Sequence, residues 1–523
     1  MTTPPHASPA PDLSADPSAD PGADPGPLVV DLDGSLVACD TFWDGLTAAL
    51  KEKPLLAFRT LAWLPHGRAR VKQGLAQHAP TDAAKLPYRD QVLELIRSAK
   101  AQGRPVWLAT GADAAVAHAV AKHLPLFDRV IASDAKTNRT GSRKLTAIRA
   151  ALEEENRPPA FDYVGDAHVD QDLWEQSATP YAVAPRKAVA QRFAQFPTGV
   201  TLGQAHNRSL AAAFFVAARP QQWSKNLLLL VPMLVGQHLD AWRLGYIAIA
   251  IACFCLAASG VYLANDLFDM AADRKHPTKK KRPLASGALP PPAAVLGAPA
   301  LLLTALLLAA LTLPGAFLAA LGVYVATTTA YTVSIKGRLV LDAVWLAALY
   351  TLRVIAGGMA VLVVPSAWLL VLSMFGFLSL ALTKRCLELG LLEKQGATEA
   401  HGRGYQVRDK PVVLALGAAA GYAAILVFAL YVNSKASSAL YQTPELLWLI
   451  CPLMAFWFSR LWVLANRAQI SDDPLQFAAT DRMTWLVLAL AAGVVLAAQH
   501  VPFALPDDPR LAVPPDLVIP GAE

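Results

Sequence analysis

Four short stretches in the first two hundred residues carry side chains suited to moving a phosphoryl group. Asp31-Leu32-Asp33-Gly34 closes an apolar run, LVVDLD. Thr110-Gly111 closes another, VWLAT (106–110). Lys144 lies at the start of a helical pattern, GSRKLTAIRAAL, and Asp166 and Asp170 lie in VGDAHVD. In such a set one carboxylate can attack phosphorus while a second moves a proton. Carboxylates can also hold Mg²⁺ against the phosphate charge, and a hydroxyl and a lysine can bind the phosphate oxygens.

A second constellation, Asn265-Asp266-Leu267-Phe268-Asp269-Met270-Ala271-Ala272-Asp273, follows a long apolar run. At helical pitch Asp266, Asp269 and Asp273 share one face. Three carboxylates at the end of a membrane helix repel one another and are costly there. A divalent cation bridging them to a diphosphate removes that cost. Arg274 and the basic run through Lys279 to Arg282 are placed to bind further phosphate oxygens. The competing reading is an acidic patch paired with its neighbouring lysines.

The elements that must hold these groups differ between the two halves. Residues 27–205 read as α/β: LVVDLD, VWLAT, RVIAS (129–133) and DYVGD (162–166) are short strands separated by helical patterns. Such alternation predicts a parallel sheet with its site at the strand C-termini. Residues 41–86 interrupt it as a helical cap, rich in Trp, Leu and Arg, which raises the question of contact with a membrane or lipid. Residues 1–26, rich in Pro, Ala, Asp and Ser, are expected to be a disordered tail and lack the form of a signal peptide.

Residues 206–502 predict an all-α polytopic membrane bundle, with a tail at 503–523. Nine candidate spans lie near 212–237, 244–264, 293–313, 315–335, 340–361, 366–384, 411–432, 444–465 and 483–500. The third and fourth, separated by LPG, form a tight hairpin. Lys and Arg concentrate in alternate loops, among them 274–282, 336–338 and 384–410. By the positive-inside tendency these loops and the α/β domain are cytoplasmic, and an odd number of spans leaves the C-terminus extracytoplasmic. The net charge of +6 therefore reflects topology, and no basic tract is interleaved with aromatics for nucleic acid. The five cysteines form no CxxC pair, which gives no disulfide framework and no zinc site.

The ordered set Asp31/Asp33, Thr110, Lys144, Asp166/Asp170 resembles the haloacid dehalogenase superfamily of phosphatases over about 27–200. The resemblance implies that Asp31 is the nucleophile and Asp33 the general acid/base, with Thr110 and Lys144 holding phosphate. It implies that Asp166 binds Mg²⁺ with Asp31, that Asp170 supports it, and that Asp33 belongs to the same carboxylate set. Ser35 stands where the family often has Thr or Val. The alternative is a fold that no longer turns over.

NDxxDxxxD followed by RKHPTKKKRPLASG is similar to the UbiA superfamily of membrane prenyltransferases over about 210–500. That family is a helical bundle with a cavity open to lipid and a polar cap on the cytoplasmic side. The resemblance makes Asp266, Asp269 and Asp273 catalytic metal ligands. Aromatic prenyltransferases of the family carry a second Asp-rich motif after the fourth span. Here the same place has Tyr331, Lys336 and Asp342, with Arg353 further on. This, with RPQQWSKN (219–226, containing Lys225), KRCLELGLLE and RGY (403–405), resembles the decaprenyl-phosphate phosphoribosyltransferase branch. Asn265, Lys225, Arg274, Lys279, Arg282, Tyr331, Lys336, Asp342 and Arg353 are then candidate substrate contacts. For Lys336 membrane topology alone is the competing explanation, and for Tyr331 and Tyr405 a plain interfacial aromatic.

Two functions stay open. In the first, phosphoribose passes from phosphoribosyl pyrophosphate to a polyprenyl phosphate, and the tethered phosphatase removes the 5-phosphate, a step of cell-envelope biosynthesis. In the second, a polyprenyl group passes from its diphosphate to an aromatic or other small acceptor, and the phosphatase acts separately. A transporter or lipid-binding scaffold with a regulatory domain is a third, weaker reading.

Overall fold

The computed structural model describes residues 26–52, 63, 65, 68–78, 81–134, 137–203, 209–276, 278–396, 404–470 and 473–501. The expected tails at 1–26 (apart from Gly26) and 503–523, most of the Trp- and Leu-rich stretch of the cap, and Arg403 lie outside them. The chain divides into two compact units: Met1–Ala217 with Asp266–Val295, and Ala218–Asn265 with Leu296–Glu523.

The first unit is built on a six-stranded sheet: β1 (Leu28–Val30), β2 (Val106–Asp113), β3 (Arg129–Ser133), β4 (Asp162–Gly165), β5 (Pro180–Val183) and β6 (Val200–Leu202). Their spatial order is β3-β2-β1-β4-β5-β6, and every pairing is parallel. Four strands match the sequence reading; β5 and β6 extend it. Both faces are buried, as in sheets covered by helices. Val30, Val106, Leu108 and Val164 face one core, while Val29, Trp107, Ala109 and Tyr163 face the other. The strand order reverses across β1, so the loops after β1 and β4 bound the crevice where such sheets bind ligands.

Helix α1 (Thr41–Glu52) and helix α2 (Arg68–His78) form the described part of the cap, joined by Ala49, Leu75, Phe42, Leu46 and Trp63. Helix α3 (Asp90–Ala101), helix α4 (Ala114–His123) and helix α5 (Ser142–Glu154) cover the sheet.

Eight helices are long and apolar enough to cross a membrane among the described residues, not nine. The long elements are α6 (Ala241–Phe268), α8 (Pro291–Thr312), α9 (Gly315–Ala330), α10 (Leu341–Ala360), α11 (Ala367–Lys394), α12 (Lys410–Val432), α13 (Ile450–Asn466) and α14 (Arg482–His500), with a short α7 (Met270–Lys275) after α6. The first expected span, near 212–237, is broken. Leu210–Ala217 is helical, Arg219 takes a left-handed backbone before Pro220, and a 3₁₀ stretch over Pro220–Leu230 leads into Val231–Val235. A residue before proline is held out of the helical region, which explains the break at Arg219.

On α8 the residues Leu303, Leu307 and Leu311 point outward and are well exposed. An apolar stripe of this kind at i, i+4 and i+8 suits lipid rather than water. Helices α8 and α9 are joined only by Leu313 and Pro314, the tight hairpin the sequence suggests. Helix α11 runs ten residues past the expected end of its span, so Lys384 and Arg385 are helical rather than loop residues.

Helix α10 packs closely on the Pro220–Leu230 segment at Gly357, where a Cβ would lie 2.0 Å from the Leu229 carbonyl oxygen. A backbone atom cannot step aside as a side-chain tip can. Gly357→Ala is therefore expected to cost about 1–3 kcal/mol or more, read as a lower unfolding temperature of the detergent-solubilised protein. An unchanged unfolding temperature would show that the two segments separate easily.

Candidate functional site

The loop after β1 places Asp31 and Asp33, and the loop after β4 places Asp166 and Asp170. Gly34 makes this possible. Its φ is +79°, and a Cβ there would sit 2.2 Å from Asp166 Oδ2. Only glycine allows both the left-handed turn and that approach. Lys144, on α5, is 3.0 Å from Asp31 Oδ2 and 3.7 Å from Asp170 Oδ1, and it donates to the Tyr163 hydroxyl at 2.9 Å. Tyr163 donates in turn to Asp170 Oδ1 at 2.8 Å. Asp170 is fully buried and its Oδ2 accepts the N–H groups of Asp166 and Ala167, which fixes the loop beneath the site. Asp33 accepts the Thr41 N–H at 2.7 Å, tying the loop to the first helix of the cap.

Asp31, Asp33, Lys144 and Asp166 line one cleft of about 370 Å³. Thr110 is fully buried behind it, its Oγ1 accepting the Ala112 N–H at 3.0 Å, and Gly111 forms the wall at that point. Asp31, Asp166 and Asp170 each offer an oxygen within 4.8 Å of the other two. Asp33 stands outside that trio.

Burial pushes Asp31 up to about 7, against the pull of Lys144, with Asp170 and Asp33 adding to the rise. Burial and Asp40 push Asp33 up to about 7. Asp166 is held well above the usual carboxylate range by burial, then by Asp170 and Asp31. Burial would lower Lys144, yet Asp31 and Asp170 more than offset it and its pKa is raised. Carboxylates this crowded are costly to ionise together, and a divalent cation relieves that cost. The residues present therefore fit Mg²⁺.

Three cations of the cleft carried no signature in the sequence. Lys72 reaches in from α2, donating to the Gly111 carbonyl and, at 3.2 Å, to Asn138 Oδ1; burial lowers its pKa against Asp33 and Asp40. Arg89 donates to the Gly34 carbonyl at 3.1 Å. Arg186 follows β5, a strand whose position at the site is itself the signal that locates it.

The acidic motif after α6 is not one continuous helix. The helix stops at Phe268 and resumes at Met270, with Asp269 at the break. Asp266 and Asp273 are buried and come together on Arg282, whose Nη1 is 3.1 Å from Asp266 Oδ1 and 2.6 Å from Asp273 Oδ2. A guanidinium thus stands between two carboxylates assigned to a metal. Among the described residues the three-carboxylate cluster at Asp31 is the one that meets a metal's reach. Arg274 does not join Arg282. It pairs with Asp44 of α1 and lines the cleft of the α/β domain. Lys279 begins a single 3₁₀ turn, Lys279–Lys281.

In the second unit, Asp342 is fully buried. Its Oδ2 is 2.7 Å from Arg385 Nε, and its Oδ1 accepts from the Tyr405 hydroxyl at 2.8 Å. Arg385 also donates to Glu388 at 2.6 Å and to the Tyr331 hydroxyl at 3.2 Å. Tyr331 opens a widened π-helical turn, Tyr331–Ile335, a feature that often marks functional sites. Val340, two residues before Asp342, has φ +61°, rare for a β-branched residue, and its N–H donates to Tyr405. Lys336 is half-buried just beyond the π turn.

Lys225 Nζ is 2.5 Å from Asp473 Oδ2, a partner outside every motif. Arg353 is committed within the fold: it donates to Asn226 Oδ1 at 3.1 Å, the Leu349 carbonyl at 2.9 Å and the Tyr324 hydroxyl at 3.0 Å. That arrangement fits a helix-locking residue better than a substrate contact.

The model of the UbiA prenyltransferase family matches residues 227–488, and that of haloacid dehalogenase-like hydrolases matches residues 28–175. Protein y4nM of Sinorhizobium fredii is 32% identical over 480 residues, covering 90% of this chain and 91% of that one. The decaprenyl-phosphate phosphoribosyltransferase of Mycolicibacterium smegmatis is 39% identical over 195 residues, 36% of this chain and 61% of its own length. A UbiA homolog from Archaeoglobus fulgidus, solved with DMAPP and Mg²⁺, is 16% identical and superimposes with a TM-score of 0.42 over 54% of this chain and 99% of its own.

Proposed function

The chain belongs to the UbiA prenyltransferase family and carries a haloacid dehalogenase-like phosphatase domain; on that premise we propose that it makes a ribosylated polyprenyl phosphate in two steps. It is an integral membrane enzyme of two catalytic domains, and family membership sets aside the scaffold and transporter readings.

In the first step a lipid phosphate oxygen attacks C1 of phosphoribosyl pyrophosphate and the C1–O bond to diphosphate breaks. Asp266, Asp269 and Asp273 would hold the divalent cation that offsets the charge of the diphosphate, and Arg282, now paired with Asp266 and Asp273, is placed to turn to a phosphate oxygen instead. In the second step Asp31 attacks the 5-phosphate, and the P–O bond to ribose breaks. Asp33 gives the leaving oxygen its proton, and water activated by the same group then hydrolyses the phospho-aspartate. Lys144 and Lys72 hold the phosphate. Asp31, Asp166 and Asp170 would hold Mg²⁺, which would supply charge to offset the phosphate oxygens.

The observation that supports phosphoribose over an aromatic acceptor is the state of Asp342. Where an aromatic prenyltransferase has several aspartates, this chain has one, buried and neutralised by Arg385 and Tyr405. The relative named a decaprenyl-phosphate phosphoribosyltransferase supports the same reading. The Arg274–Asp44 pair supports a shared membrane face for the α/β domain and the basic loop 274–282. The broken segment 210–235 then supplies the first of nine crossings, which leaves the α/β domain cytoplasmic and the C-terminus outside.

The test is purified protein in detergent with Mg²⁺, labelled phosphoribosyl pyrophosphate and a polyprenyl phosphate, followed by lipid extraction. Labelled lipid is expected. No labelled lipid, together with prenylation of an aromatic acid from a polyprenyl diphosphate, would replace this reading with the aromatic one.

A further inference from the structure

We propose that Arg274, with Leu284, Gly287 and Pro290, is the substrate-selecting wall of the phosphatase cleft, and that the substrate class is a phosphomonoester carrying a second phosphate group, which Arg274 holds. The inference deepens the phosphatase reading above and does not depend on the donor used by the transferase.

Within the first unit the cleft is not made by the α/β domain alone. Arg274, Leu284, Gly287 and Pro290 line it together with Asp31 and Asp166. These residues come from the chain after the first long membrane helix, so one side of the phosphatase cleft is encoded by the transferase half of the sequence. That side is largely apolar, with Arg274 as its charge.

Arg274 is a cation of the cleft whose hydrogen bonding is incomplete. Lys144 is held by Asp31 and Tyr163, Lys72 by Gly111 and Asn138, and Arg89 by Gly34. Arg274 pairs through one nitrogen, Nη1, with Asp44 Oδ2. Its Nε is buried without a hydrogen-bond partner. A buried guanidinium N–H left unmet is costly, and such groups call for a ligand. A phosphate offers the planar fork of arginine two parallel acceptors, a stronger match than the single contact with Asp44.

Position argues for a second phosphate rather than the scissile one. The reacting phosphate already has Lys144 at the nucleophile. Arg274 pairs instead with the cap, on α1, and stands among apolar residues, which suits a group further along the same substrate. A substrate with two phosphates gives Arg274 an anion of its own beside the one held at Lys144. A lipid-linked ribose 5-phosphate has this form, with a monoester at one end and a phosphodiester at the other, and the apolar wall suits its lipid end.

The experiment uses the full-length protein in detergent with Mg²⁺ and two soluble probes. One is ribose 5-phosphate; the other is ribose 5-phosphate bearing a butyl phosphodiester at C1. The readout is the ratio of kcat/KM for the second probe to that for the first. Arg274→Ala is expected to lower the ratio at least 10-fold, mainly through KM, and Arg274→Lys to lower it less. Asp44→Asn, which frees Arg274 from its carboxylate, is expected to raise the ratio. An Arg274→Ala ratio equal to wild type, or both probes slowed in parallel, would overturn the selecting role and leave the phosphatase reading standing. If wild-type protein hydrolyses neither probe, the phosphatase reading fails and this proposal fails with it.

Discussion

Full-length protein carrying Asp31→Asn is expected to hydrolyse phosphate monoesters at less than roughly one thousandth of the wild-type rate, while its transferase activity persists. An amide nitrogen cannot attack phosphorus to give a phospho-enzyme, and the loss falls on one bond-making step. The fold should tolerate the change. Asparagine has the shape of aspartate, and Lys144 keeps the Tyr163 hydroxyl at 2.9 Å and Asp170 at 3.7 Å. In the coupled assay the lipid product should then accumulate with its 5-phosphate attached, a mass difference seen directly in the extracted lipid. More than a few per cent of residual hydrolysis in a clean preparation would remove Asp31 from the nucleophile's role. Unphosphorylated ribosyl lipid from the variant would show that the two steps are not linked as proposed.

The second large effect concerns the acidic motif. Asp266→Ala or Asp269→Ala should lower group transfer by about 100-fold or more, equivalent to about 2.7 kcal/mol of transition-state stabilisation. Folding should be little affected. Asp266 meets Arg282, but Arg282 keeps its 2.6 Å contact with Asp273 and is itself 28% exposed, so no charge is stranded in a dry site. Chelation of divalent cations in wild type should give the same loss, restored by added Mg²⁺. Normal turnover by either variant at ordinary Mg²⁺ would refute the metal assignment. Loss of the folded protein, seen as aggregation on size-exclusion chromatography, would mark the motif as structural.

The sequence by itself determined the two halves and the families they belong to. Strands at LVV, VWLAT, RVIAS and DYVG follow from short apolar runs ended by polar residues, and the sheet forms with all four. The gathering of Asp31, Asp33, Lys144 and Asp166 at one cleft was legible because each sits at a fixed local distance from a strand or helix end. The long membrane helices were legible because length and apolarity are local properties, and eight are found among the described residues.

What tertiary structure decided are contacts between residues far apart in the chain, which no local period encodes. Lys72 enters the phosphatase cleft because α2 folds over the strand ends. Arg274 joins that cleft rather than the acidic motif beside it in sequence, because a long side chain at a helix end can turn toward either neighbour and Asp44 is where it turns. Asp342 reads as an open ligand in sequence, yet Arg385 and Tyr405, 43 and 63 residues away, close over it. Arg353 reads as a phosphate contact but spends its donors on Asn226, Leu349 and Tyr324, because a buried guanidinium must satisfy its N–H groups with whatever the packed helices present.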